Sequence, residues 1–78
     1  MKAQVFKTNG DILDIEVKSF TDLQRAVGGD VQIVEKVKGI TTLANEDGLP
    51  LGLPANPHFR GLVGNVVKVG KGWQDLPY

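Results

Sequence analysis

The chain has 78 residues, nine Lys or Arg against nine Asp or Glu, one His and no Cys. A net charge of +0 argues against strong non-specific binding to nucleic acid or an anionic membrane, which needs excess positive charge, and the lack of Cys rules out disulfide frameworks, thiolate metal sites and cysteine nucleophiles. One domain is the most this length supplies, and a domain so small buries only about 60% of the surface its unfolded chain exposes, so it must pack well or self-associate.

Lys2 to Thr8 reads as a strand, with Val5 and Phe6 among polar neighbours. Asn9-Gly10 is a hairpin signal, because both central residues of the favoured turn take positive φ. Ile12 to Val17 returns, with Leu13, Ile15 and Val17 on one face and Ile12, Asp14 and Glu16 on the other. A short helix follows. Thr21 and Gln24 stand three apart as in a capping box, and Asp22 adds negative charge to the first turn. Phe20, Leu23 and Val27 form its apolar stripe, and Gly28-Gly29 ends it. Asp30 to Val37 alternates, with Val31, Ile33, Glu35 and Val37 on one side and Gln32, Val34 and Lys36 on the other. Lys38-Gly39 is a tight turn, and Ile40 to Asn45 is the antiparallel partner.

Residues 46–57 are broken by Gly48, Pro50, Gly52, Pro54 and Pro57. The expectation is an extended, stiff segment whose Leu49, Leu51 and Leu53 seek burial across the sheet or along its edge. Asn56-Pro57 predicts the start of a second short helix, with Phe59, Leu62 and Val63 as its stripe and Gly64 as its end. Asn65 to Gly70 is the last strand, and Lys71 to Tyr78 is a tail that Trp73, Pro77 and Tyr78 either pin down or turn into a contact surface. The order β-β-α-β-β-loop-α-β places the chain in the α+β class: a small, mainly antiparallel sheet of about five strands with two short helices. The domain is expected to span 1–70 and the tail 71–78.

Catalytic chemistry finds little support. His58 is the only His, so histidine relays and multi-histidine metal sites are excluded, and no metal or cofactor is expected. Glu46 and Asp47 are neighbours that converge only if a turn bends them together, and a solvated turn is the simpler reading. Ser19 lacks a nearby His, and the glycines around Lys71 have neither Walker nor dinucleotide spacing. Lys36, Lys38, Lys68 and Lys71 could share part of a sheet surface, but interspersed acids argue against stable duplex nucleic-acid binding.

The candidate binding surface is the stretch Asn45 to Arg60. A helix opening at Asn56 would present free amide groups and partial positive charge, and with His58 and Arg60 beside it would suit a phosphate or carboxylate. Asn45 and Asn56 would supply polar contacts, and Phe59 or Trp73 an apolar wall for a ring. The bland alternative is equally explicit: Asn56 caps, Phe59 is core and Arg60 is solvated.

Three stretches carry a resemblance: Leu23-Gln24-Arg25-Ala26-Val27-Gly28-Gly29, then Val31-Gln32-Ile33-Val34, then Asn45-Glu46-Asp47-Gly48-Leu49-Pro50-Leu51-Gly52-Leu53-Pro54-Ala55-Asn56-Pro57. Together they resemble domain-of-unknown-function family 3846, found in phages, plasmids and bacteria. The resemblance runs from Leu23 to Val69 and supplies no catalytic residue.

It implies a non-enzymatic, phage-type accessory binding protein in the cytoplasm of a host bacterial cell. The implied role is to antagonise anti-phage defence by sequestering a small nucleotide-derived signal. A pocket of about 300–1,000 Å³ is hard to enclose in so small a domain, so a homo-oligomer with the ligand at a subunit boundary is expected. The expected ligand-binding residues are Asn45, Glu46, Asn56, His58, Phe59, Arg60 and Trp73, with no membrane partner. The alternative is a protein–protein interaction module that inhibits a host defence or restriction protein, using a sheet edge or Trp73 and Tyr78 as anchors. A small hydrolase using Glu46 and His58 is the third reading.

Overall fold

The computed structural model describes residues 1–78 and contains five strands, one α-helix and a 3₁₀ turn. These are β1 (Lys2–Phe6), β2 (Ile12–Glu16), α1 (Phe20–Val27), β3 (Val31–Val37), β4 (Ile40–Asn45), β5 (Val66–Val69) and the 3₁₀ turn Trp73–Asp75. The strands form one sheet in the order β2-β1-β5-β4-β3, with every neighbouring pair antiparallel. The α+β class and the five-strand antiparallel sheet expected from hydrophobic alternation are thus present. No helix is long and apolar enough to cross a membrane.

The two hairpins exchange the expected turn chemistry. At Asn9-Gly10 only Gly10 takes positive φ, at 97°. The turn closes one residue earlier, through Gly10 N–H to Lys7 C=O at 3.0 Å, and the Asn9 side chain accepts from Asp11 N–H at 2.9 Å. Lys38-Gly39 instead has both central residues at positive φ, 52° and 81°, the tight two-residue hairpin geometry. The helix also starts elsewhere than the Thr21–Gln24 spacing suggested. Ser19 is the N-cap, and Ser19 and Asp22 form a reciprocal capping box. Gly28 closes α1 in the left-handed conformation, as expected.

One face of the sheet carries α1. Ala3 and Val5 of β1, Leu43 of β4, and Val67 and Val69 of β5 pack there against Leu23 and Val27, with Val17 and Trp73 completing the core. The strict alternation expected of β3 fails at its centre. Ile33 pairs with Leu43 but Glu35 pairs with Thr42, so Val34 is an extra residue, a β-bulge. Beyond it the faces switch. Lys36 stands opposite Thr41, which pairs with core Val69, so Lys36 lies on the helix-bearing face, while Glu35 and Val37 turn to the other.

Residues 46–65 differ most from expectation. The segment 47–53 is a run of tight turns rather than an extended rod: Leu51 N–H bonds Asp47 C=O at 3.0 Å and Leu53 N–H bonds Gly48 C=O at 3.1 Å. Leu49 is 77% and Leu51 61% exposed, so the burial expected of three leucines falls to Leu53 alone. No second helix forms after Asn56-Pro57. Ala55 and Val63 bridge instead, and the intervening loop closes on Asn56 N–H to Leu62 C=O at 2.9 Å. Gly61 at φ 87° and Gly64 at φ 77° turn the chain back too soon for a helical stripe. This loop lies over the far face of the sheet, where Phe59 meets Phe6 edge-on at 5.0 Å. Of the two expectations for the tail, pinned down or a contact surface, the structure shows the first. Trp73 belongs to the core, Phe20 N–H bonds Pro77 C=O at 2.7 Å, and Thr21 Oγ1 donates to Tyr78 C=O at 2.9 Å.

Candidate functional site

The two asparagines expected to face a ligand are both buried and spend their amides on the fold. Asn45 Nδ2 donates to Val27 C=O at 3.2 Å, and its Oδ1 accepts from Asp47 N–H at 2.8 Å. Asn56 Nδ2 donates to Phe6 C=O at 2.8 Å and Gly64 C=O at 2.9 Å, and its Oδ1 accepts from His58 N–H at 2.9 Å. His58 lies against the β1–β2 turn, with Nε2 2.7 Å from Gly10 C=O and its ring edge-on to Phe6. Phe59 packs beside Phe6, with Lys68 Nζ 5.4 Å from its centroid. Arg60 is exposed and pairs with no carboxylate. Without a helix at 57–63, the expected anion-binding helix terminus does not exist. Glu46 and His58 are not brought together, since Glu46 follows β4 beside β3 while His58 sits on the β1–β2 turn.

Glu46 and Trp73, by contrast, line one cavity. It is a cleft of about 540 Å³ on the helix-bearing side, between β3 and the tail. Val31, Gln32 and Ile33 of β3 form one wall; Phe20, Trp73, Gln74, Leu76 and Tyr78 form the other. The Phe20 and Trp73 rings lie near-parallel, 21° apart with centroids 6.5 Å distant, and Tyr78 meets Phe20 edge-on at 5.3 Å. Trp73 is held in place by its indole N–H, which donates to buried Thr41 Oγ1 at 3.2 Å. The cleft is therefore apolar and aromatic, with Glu46 and Gln74 as polar groups at hand. Sequence reasoning missed Phe20 and Gln74, because Phe20 falls at core spacing on α1. The tail's bonds to Phe20 and Thr21 join that helix end to the wall of the cleft.

Of the residues that carry the resemblance, Gly28, Gly29 and Asn45 serve the fold, whereas Val31, Ile33 and Glu46 border the cleft. Gly28 caps α1, and Gly29 leaves room for Asn45, whose Nδ2 would lie 2.9 Å from any Cβ there. No curated protein and no solved structure matches this chain. The model of one family, described as a domain of unknown function (DUF3846), matches residues 1–77 and so takes in the tail with the sheet. The chain belongs to that family.

Proposed function

We propose that the protein is a non-enzymatic binding protein that sequesters a small nucleotide-derived ligand in the cleft between β3 and the tail. The observation that carries this reading is the cleft itself, about 540 Å³ with the near-parallel Phe20 and Trp73 rings in its wall. That volume suits a small ligand, and flat aromatic rings favour stacking on another flat ring. Gln74 and Glu46 offer donors and acceptors to the ring's edges. In the setting the resemblance implies, withdrawal of such a signal in the bacterial cytoplasm would antagonise anti-phage defence. The cleft borders the β3 edge, where Ile33 is 44% exposed, and a second copy of the chain across that edge would enclose the ligand.

Trp73 is the only tryptophan, so its fluorescence reports the cleft directly. Titration with mono-, di- and cyclic nucleotides is expected to change Trp73 emission saturably. Tyr78→Ala, at a residue 85% exposed, should weaken binding about three- to tenfold without altering the fold. Unchanged emission throughout the panel, together with native mass spectra showing no co-purified small molecule, would overturn the reading.

A second reading, a protein–protein interaction module, is favoured by the unpaired outer edge of β3. A strand from a host protein could extend the sheet there. Binding of a protein partner that Ile33→Lys abolishes while nucleotide response stays absent would select this reading.

A further inference from the structure

We infer that the concavity bounded by Lys36, Lys38 and Lys71 is a binding site for an oligophosphate chain. Its volume is about 310 Å³, and Trp73 and Gln74 form the boundary between it and the aromatic cleft. The two cavities thus follow one another along β3 and the tail.

Three local features aim the lysines at the same space. The bulge at Val34 switches Lys36 onto the helix-bearing face, whereas regular alternation would have turned it to the other. Lys38 sits in the left-handed conformation of the β3–β4 turn, at φ 52°. Lys71 lies across that same turn, where a Cβ on Gly39 would stand 3.0 Å from its Cε. No acidic side chain lines the concavity, and none of the three ammonium groups has a carboxylate within 4.0 Å, the ion pairs being Met1–Glu16 and Arg25–Asp22. A chain with net charge +0 therefore concentrates three of its nine cations in one recess. Cations gathered around one recess repel one another, and a polyanion seated there relieves that repulsion while accepting hydrogen bonds from the ammonium groups. A recess holding roughly ten water volumes suits a short phosphate chain rather than a folded partner.

The inference deepens the reading of the aromatic cleft: the ring stacks at one end and the phosphates sit at the other. The test separates the two. Sodium tripolyphosphate and adenosine are titrated separately into the intact protein by calorimetry. Tripolyphosphate is expected to bind saturably at one site, and raising NaCl from about 0.05 to 0.5 M should weaken it strongly. Lys36→Gln, Lys71→Gln and Lys38→Asn, the last keeping a residue that tolerates positive φ, should each weaken it about three- to tenfold. Lys18→Gln, at the distant start of α1, should leave it unchanged, and adenosine binding should ignore all four substitutions. Absence of saturable tripolyphosphate binding overturns the lysine site, as does equal weakening by Lys18→Gln. Adenosine binding without tripolyphosphate binding removes the lysine site alone; the reverse supports it and removes the ring's place in the cleft.

Discussion

Asn56 holds a loop to the sheet through three hydrogen bonds from a single amide. It joins the end of β1, the turn before β5 and its own loop. Truncation to alanine leaves the Phe6 and Gly64 carbonyls and the His58 N–H without that partner. Unpaired buried groups cost about 1–3 kcal/mol each, and water reaching the part-buried ones lowers the sum, so Asn56→Ala should destabilise by about 2–4 kcal/mol. Asn56→Asp should cost at least as much, since it turns a carboxylate oxygen toward two carbonyls. Urea unfolding followed by far-ultraviolet circular dichroism measures both; a loss below about 0.5 kcal/mol for the alanine variant contradicts the role assigned to this amide. Asp22 acts at the other end of the sequence in a comparable way. The Lys18 N–H bond at 2.9 Å chiefly, then the Ser19 N–H and nearby Arg25, outweigh partial desolvation and hold its carboxyl below the ordinary 3.8. A depressed carboxyl stabilises the fold above its unfolded pKa and loses that contribution as pH falls through the folded value. The stability difference between the protein and Asp22→Asn should therefore be present at neutral pH and shrink below about pH 4. A difference constant down to about pH 2 would show that the N-cap bonds do not depend on the charge.

At the scale of elements, what the sequence discloses is what local physics controls. Period-two alternation identifies β2, the Lys38-Gly39 turn places β4 as the partner of β3, and the Phe20–Leu23–Val27 stripe with Gly28-Gly29 identifies α1, because each signal lies within a few neighbouring residues. The elements that escape are those decided by contacts distant in sequence. Asn56-Pro57 has the chemistry of a helix start, yet its amide is claimed by Phe6, fifty residues away, and the Ala55–Val63 bridge closes the segment before a helical turn can propagate. The bulge at Val34 leaves no mark in the sequence, because Val34 is as good a strand residue as its neighbours and only pairing with β4 shows that it is extra. The candidate site follows the same division. Trp73 was legible as an aromatic with no assigned core position. The lysine recess was legible in part: Lys36, Lys38 and Lys71 share a surface as the sequence suggests, but Lys68 lies on the far face over Phe6 and Phe59, and the recess itself needs the bulge and the docked tail, which no local pattern discloses. Asn45 and Asn56 looked like ligand chemistry because the amide side chains that read a ligand's edge are also those that close tight turns.

The whole molecule is small, 30 × 22 × 20 Å, and its core depends on the same tail that walls the cleft. Trp73 is 7% exposed, packs with Val69 and Leu43 in the core cluster, and presents part of its surface to both cavities. A domain of this size has total stability of about 5–10 kcal/mol or less, so one large buried ring is a sizeable fraction of it. Trp73→Ala removes the ring, opens a cavity under α1 and strips Thr41 of its partner. The expected loss is about 3–5 kcal/mol, enough to leave the chain partly unfolded at ordinary temperature. Trp73→Phe keeps most of the packing and loses the indole bond, so it should fold cooperatively with a loss of about 1–2 kcal/mol. Bound ligand stabilises only the folded state, so an added nucleotide should raise the melting temperature of Trp73→Phe as well as that of the parent chain. Thermal unfolding of the two variants with and without ligand tests this coupling. A Trp73→Ala variant as stable as the parent chain would place the tail outside the folding unit, and with it the wall on which both cavities depend.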